Sequence, residues 1–300
     1  MKICVSGGVG FVGAHLAKHL VDAGHDVSVV DRRAPRERVK GVSYEVEDLA
    51  NAFYAYMGDA PDVLFHLAAY PWSTVRGGSW FNSSGEAWRN NVVGTYNALR
   101  EIRPKRVVFS SSASVYGEGR KLREDSPIQV KSGYAFSKWL GEEIIRKSGI
   151  PYTIYRFGTV VGRWGRTFPN RLVWCAVHGV PVELFANGEA QRDIIDVRDI
   201  VSALTLDAPQ DTYNVALGEE VSGRALAELV AEEAHRRGYR LDYSLSGFKA
   251  PGFVQESTLD TTKIQELGWK PKYDIYRIVE SLFDHYIHEE AKEPPTWDKV

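Results

Sequence analysis

Apolar positions in the first half of the chain recur with two alternating periods. Lys2–Ser6 is a short apolar run that ends in glycines, and Phe11, Val12, Leu16, Leu20 and Val21 then fall at helical spacing until Gly24 stops them. Asp26–Val30 is a second strand-like run, closed by Asp31, and a third is expected ahead of Asp48. Val63–Leu67 and Arg106–Ser110 predict further buried strands, separated by a helix from about Glu86 to Arg103. Pro104 lies just past that helix, where proline cannot continue it. A helix over Lys131–Ser148 and a strand over Tyr152–Arg156 complete the series. Strands separated by helices of this length predict an α/β fold, a Rossmann-like doubly wound parallel sheet with helices on both faces.

Past Phe157 the rhythm breaks. Short apolar pieces are interrupted by Gly162, Gly165, Pro169, Gly179, Pro181 and Gly188, followed by helices over Gly223–Arg237 and Tyr276–Glu290. The pattern predicts a nucleotide-binding domain over residues 1–158 and a smaller C-terminal substrate-binding α/β domain over 159–300, with about 192–216 returning to the first. Residues 292–300, with Pro294 and Pro295, are expected to fray.

Composition narrows the partners. A chain of 300 residues carries 37 Lys and Arg against 39 Asp and Glu, so no net field draws it to nucleic acid or to an anionic membrane. No apolar stretch reaches the roughly 18 residues of a membrane span, and the first residues run straight into a motif rather than a cleavable signal. A cytoplasmic protein is expected. Cys4 and Cys175 sit in apolar runs without any Cys/His ligand spacing, which predicts buried thiols in a reducing compartment and no metal site.

The candidate chemistry begins with Gly7-Gly8-Val9-Gly10-Phe11-Val12-Gly13, placed between a predicted strand and a predicted helix. Gly7 lets the chain turn, Gly10 lets backbone approach a diphosphate, and Gly13 lets helix and strand pack closely, while Phe11 and Val12 open the helix whose positive end faces the anion. An ordinary tight turn is the alternative. Asp31, at the end of the next strand, suits the adenosine ribose hydroxyls of NAD and repels a 2′-phosphate. Arg32 and Arg33 follow it and keep NADP open as an alternative. Asp48 and Leu49 are candidates for the adenine edge, with a helix cap as the competing reading.

Tyr134 and Lys138 lie four residues apart at the start of a predicted helix, which stacks them on one face. A free tyrosine is only about one part in a thousand phenolate at pH 7, so its use as a base requires roughly 4 kcal/mol of anion stabilisation. A neighbouring ammonium and an oxidised nicotinamide supply that together. Upstream, the buried strand Val107-Val108-Phe109 runs into Ser110, Ser111, Ser112 and Ser114, at the carboxyl edge where open α/β sheets hold ligands.

These residues resemble the extended short-chain dehydrogenase/reductases, and within them the NAD-dependent nucleotide-sugar epimerases and dehydratases, most of all the UDP-glucose/UDP-galactose 4-epimerases. The resemblance spans nearly the whole chain. It includes the glycine loop, His66-Leu-Ala-Ala69, Asn91-Val-Val-Gly-Thr95, Ser110 to Gly117, the Tyr134/Lys138 pair, Arg156 to Gly162, Gln191-Arg192-Asp193, Tyr213-Asn214-Val215 and Leu267 to Pro271. It implies Tyr134 as acid/base, Lys138 as its activator and ribose anchor, and Ser112 as the hydroxyl bonded to the reacting sugar oxygen. It also implies that Leu67, Ala68, Ala69, Asn91 and Ser110 line the cofactor site, and that Ser114, Thr159 and Arg192 bind substrate, Arg192 at the diphosphate. A salt bridge from Arg192 to Asp193 or Asp196 is the competing reading.

The implied activity is C4 epimerisation of a nucleotide-linked sugar through a transient 4-ketosugar. Dehydratases and the decarboxylases resembling them place an acid just after the catalytic hydroxyl, where this chain has Ala113 and Ser114. Dehydration, decarboxylation, 4-ketosugar reduction and a non-enzymatic dinucleotide sensor stand as alternatives. Several positions depart from the family pattern: Thr159 replaces an amide, Pro71 replaces a basic residue, and the arginine that often clamps the second phosphate is missing just before Asp260, with Lys249 its only nearby basic candidate. The resemblance further implies a homodimer built on the segments Glu86–Arg103 and Lys131–Ser148. The aromatic, glycine-rich segment Tyr70–Trp88 reads equally as a flap over the sugar, as loop packing or as a subunit contact.

Overall fold

The computed structural model describes residues 1–35, 37–51, 56, 58–70, 84–249 and 253–288. The segment 71–83, with Pro71 and most of the aromatic loop, and the tail 292–300 lie outside the described residues.

The first elements in chain order are β1 (Lys2–Ser6), α1 (Phe11–Asp22), β2 (Asp26–Asp31), β3 (Val42–Val46), β4 (Val63–His66), α2 (Ser84–Ala87), α3 (Gly94–Ile102), β5 (Arg106–Ser112), β6 (Gly119–Leu122), α4 (Gly133–Lys147) and β7 (Tyr152–Phe157). There follow β8 (Thr159–Val161), α5 (Phe168–His178), β9 (Val182–Leu184), β10 (Gln191–Asp196), α6 (Val197–Leu204), β11 (Thr212–Val215), β12 (Glu220–Ser222), α7 (Gly223–Arg236), β13 (Tyr243–Leu245), β14 (Glu256–Leu259), α8 (Thr262–Gln265) and α9 (Ile275–His288). No helix among the described residues is long and apolar enough to cross a membrane.

Chain contacts divide these elements into two compact units. The first comprises 1–115, 130–157 and 201–213, and the second 116–129, 158–200 and 214–300, the division falling within β11. The first is built on a seven-stranded sheet in the order β11-β7-β5-β4-β1-β2-β3. From β7 to β3 every neighbouring pair is parallel. The strands therefore read as continuous apolar runs, with Cys4, Val5, Leu64 and Val107 fully buried. Leu99 and Ile102 of α3 and Ile145 of α4 pack with Phe109 and Ile154 of the sheet into one core. Because β1 pairs with β2 on one side and β4 on the other, the strand order reverses there, which opens a crevice at the carboxyl ends of β1 and β4.

The continuous helix expected over Glu86–Arg103 is instead interrupted. Trp88–Val93 winds as a wide π segment between α2 and α3. Within it the Asn91 carbonyl receives the Thr95 hydroxyl at 2.6 Å, a side-chain bond that competes with the regular helical ladder.

In the second unit, α5, α7 and α9 bury Leu172, Leu226, Val230, Ile278, Leu282 and Phe283 against one another. Its main sheet runs β12-β10-β14-β6, with β8 beside β10. Pro169 and Gly179, read from sequence as interruptions, are the punctuation of α5. Proline occupies the first turn, where it is tolerated, and Gly179 closes the helix at φ +66°. Both cysteines are buried and free, as their apolar surroundings predict.

Candidate active site

Gly7 continues from β1 with φ +76°, and a Cβ there would meet the Ala68 backbone nitrogen at 2.6 Å. A Cβ on Gly13 would lie 2.3 Å from the Gly7 carbonyl oxygen. The two glycines thus bring the loop against the 67–68 backbone and set α1 directly behind it, while Leu67 continues the ladder by donating to the Ser6 carbonyl at 3.0 Å. Gly10 is the N-cap of α1, no side chain caps this helix, and its first turn, with Phe11 and Val12, carries no acid. Its N–H groups and positive end therefore suit a diphosphate that backbone alone must bind.

Asp31 ends β2 at 7% exposure. Its carboxylate accepts from the Val9 and Arg33 backbone N–H groups, each at 3.1 Å, which ties the glycine loop to the next strand. Arg33 Nε lies 3.6 Å from the same carboxylate. Arg32 turns elsewhere, donating to Asn90 at 3.3 Å and lying 5.9 Å over the Tyr70 ring. Asp48 accepts from the Ala50 N–H at 2.9 Å, as a cap does, and pairs with Arg89 at 2.8 Å. Leu49 is buried, and its carbonyl receives Asn97 at 2.8 Å.

A buried polar chain connects β1 to α4. Ser6 Oγ lies 2.5 Å from His66 Nδ1, and His66 Nε2 lies 2.8 Å from Thr95 Oγ1. Because Thr95 donates its proton to the Asn91 carbonyl, it accepts from Nε2–H, and Nδ1 accepts from Ser6. This is the neutral tautomer, and burial together with the charge of Lys138 pushes the His66 pKa down to about 3. The Asn91 side chain in turn receives the Tyr70 N–H at 2.6 Å and donates to Ser137 Oγ at 2.9 Å. Ser137 then donates to the Tyr134 carbonyl at 2.8 Å. Neither Ser137 nor the His66–Thr95 link is singled out by reading the sequence, although Ser137 sits between Tyr134 and Lys138.

Ser132 caps α4, accepting from the Ala135 N–H at 3.1 Å, so Tyr134 and Lys138 occupy its first turns. Burial raises the pKa of the Tyr134 hydroxyl, and the neighbouring Ser112 side chain opposes the rise. Lys138 is 2% exposed. Its Nζ lies 4.6 Å from the centre of the Phe109 ring, and burial pushes its pKa down to about 7 against the pull of Glu142. Ser110 donates to the His66 carbonyl at 3.2 Å, Ser112 Oγ receives the Ser114 N–H at 3.2 Å, and Ser114 Oγ is buried with no partner among the described residues.

The structure thus brings the glycine loop, Asp31, Arg32, Asp48, Leu49, Leu67 to Ala69, Asn91, Ser110, Ser112, Ser114, Tyr134 and Lys138 into the first unit. Thr159 and Arg192 belong to the second, on the paired strands β8 and β10, with Thr159 opposite Ile194. Arg192 forms neither of the salt bridges considered for it. It donates to the main-chain carbonyls of Gln191 and Val254 at 2.7 Å each, while Asp196 pairs with Arg198 at 2.7 Å and Asp193 receives the Gly218 N–H at 3.0 Å. Lys249 Nζ lies 5.4 Å over the Phe253 ring.

Comparison with known proteins agrees with this geometry. The chain is 27% identical to a UDP-glucose 4-epimerase of Lactobacillus helveticus over 91% of its own length and 93% of the relative's. The fold matches the solved structure of MoeE5 in complex with UDP-glucose and NAD at a TM-score of 0.85 and 28% identity, covering 95% of this chain and 98% of that one. It also matches the Thermus thermophilus UDP-glucose 4-epimerase complex with NAD at 0.84 and 27% identity, covering 96% and 99%. The model of the NAD dependent epimerase/dehydratase family matches residues 3–216, and the chain belongs to that family.

Proposed function

We propose that this protein interconverts the C4 epimers of a UDP-hexose, with NAD retained between turnovers. The observation that carries the reading is the buried Tyr134 hydroxyl set beside the Ser112 side chain, with the buried Lys138 one turn further along the same helix. NAD, when bound, supplies reversible two-electron oxidation at C4. Tyr134 takes the proton of the 4-hydroxyl and returns it, Ser112 holds the same sugar oxygen, and the Lys138 ammonium stabilises the Tyr134 phenolate. The glycine cradle and the uncapped start of α1 suit the diphosphate of the dinucleotide, and the Asp31 carboxylate favours its ribose hydroxyls over a 2′-phosphate.

Epimerisation is favoured over dehydration and decarboxylation because no carboxyl follows Ser112. Ala113 and Ser114 stand there, and the unpartnered Ser114 hydroxyl has a hydrogen bond to offer substrate. We assign Thr159 and Arg192 to substrate binding as well. A homodimer through α3 and α4 accounts for Tyr96, which stands 54% exposed on α3, and light scattering of the purified protein tests it. A reducing cytoplasm suits the two free thiols.

The deciding experiment incubates purified protein with UDP-glucose or UDP-galactose and no added cofactor, and identifies by mass the nucleotide released on denaturation. Interconversion together with released NAD is the expected result. Tyr134→Phe is expected to lower kcat by about 10²–10⁴-fold while leaving the NAD content unchanged. Failure to interconvert any UDP-hexose, hexosamine or uronate pair overturns the reading, and a 4-keto-6-deoxy product assigns the dehydratase reaction instead.

A further inference from the structure

One buried charged cluster takes no part in the chemistry above. Glu142 is 0% exposed and lies one helical turn beyond Lys138 on the same face of α4. Its carboxylate receives Ser111 Oγ at 2.5 Å, Arg156 Nε at 2.9 Å, Arg156 Nη2 at 2.7 Å and Arg146 Nη2 at 2.8 Å. Ser111 is the neighbour of Ser112, and Arg156 lies opposite Ser111 across the β5–β7 register. Between the two charges, Gly141 leaves room for the Phe109 ring, which a Cβ would meet at 2.7 Å, and that ring is the floor beneath Lys138.

The geometry points to Glu142 as a positioning residue for the reaction: its fixed carboxylate is the counter-charge that keeps the buried Lys138 amine protonated beside Tyr134. Among the described residues, the charges around Lys138 leave this task to one group. On α4 these are the neutral Tyr134, Glu142 and, behind it, Arg146. From β4 comes His66, held neutral at about 3. From the end of β5 come only the hydroxyls of Ser111 and Ser112, and from β7 comes Arg156, already engaged by Glu142. Burial drives Lys138 toward the free amine, and Glu142 is the neighbour that opposes it. Against its own burial, Glu142 is held ionised by Arg156, Ser111 and Arg146. The two arginines and the serine thus fix the charge that Lys138 depends on, and Ser111 ties that charge to the strand end bearing Ser112.

This inference rests on Lys138 as the activating amine, but its test needs no turnover. The Lys138 13Cε resonance, assigned by its loss in Lys138→Met, is titrated in cofactor-free protein. In Glu142→Gln the midpoint is expected to fall by about one pH unit or more, and the alkaline limb of kcat to move in the same direction, with KM unchanged. Glu142→Asp is expected to restore part of both shifts. Because Glu142→Gln also removes a partner of Arg156, the comparison is repeated in an Arg156→Met background, where Glu142→Gln is again expected to lower the Lys138 midpoint below that of Arg156→Met alone. Equal midpoints in Arg156→Met and Glu142→Gln/Arg156→Met overturn the inference and make Glu142 merely the partner of Arg156. Loss of turnover in Tyr134→Phe bears on the proposed function and leaves this titration untouched.

Discussion

At the scale of single residues, burial does opposing things to stability and to chemistry. Lys138 has a pKa near 7 in the fold and about 10.4 when unfolded. Between those values the unfolded chain binds more protons, so stability rises with pH across that window, and below it the buried ammonium costs stability in full. Lys138→Met is accordingly expected to raise the unfolding free energy by about 2–4 kcal/mol at pH 6 in urea titrations of the nucleotide-free protein, a gain that fades toward pH 10, while activity collapses. Gly13 shows the reverse balance. Alanine is the better helix former by about 1 kcal/mol, yet its Cβ would press on the Gly7 carbonyl. Gly13→Ala is expected to lose roughly 1–3 kcal/mol and to purify with less bound NAD. Tyr134, Lys138 and the glycines stand out in sequence through context more than spacing, the glycines between a strand and a helix with Asp31 beyond, and the Tyr/Lys pair downstream of a strand that ends in serines. Glu142 does not, since an acid one turn past a lysine looks like any solvated helix face until Arg156 arrives from a strand fourteen residues on.

At the scale of elements, the parallel sheet is legible because each strand is buried on both faces and must be apolar throughout. The strands of the second unit are only three to six residues long and mix polar with apolar positions, so β8, β9, β12 and β13 leave no period to read. The π segment escapes for a different reason, since the hydrogen bonds that run through it join residues far apart in sequence. Thr95 serves both His66 and the Asn91 carbonyl, so Thr95→Val keeps the shape and strands the His66 Nε2–H. That variant is expected to lose about 1–3 kcal/mol, read by urea unfolding; an unchanged midpoint would mean that the chain from Ser6 to Tyr134 does not support the helix.

At the scale of the molecule, the chain passes from one unit to the other five times. The excursion 116–129 belongs with the second unit because Asn214, fully buried, receives the Tyr116 hydroxyl at 2.8 Å and donates to the Leu122 carbonyl at 2.8 Å, while β6 pairs with β14. Residues 201–213 belong with the first, where Arg106 donates to the Ala208 carbonyl and the Ile154 N–H to the Asp211 carbonyl at 2.9 Å. A chain ended after Phe157 therefore lacks part of its own first unit, and circular dichroism is expected to show it unfolded or molten where the whole chain melts cooperatively. Hydropathy does not mark the excursion 116–129, which is too short to carry a pattern of its own.

The five passages also restrict how such a protein acquires a new substrate. A single recombination event joins one amino-terminal piece to one carboxy-terminal piece, and here any such splice would leave at least one unit assembled from two ancestries. Under the proposed function, a change of sugar preference is therefore expected to come residue by residue, at positions such as Ala113, Ser114 and Thr159, rather than by trading whole modules.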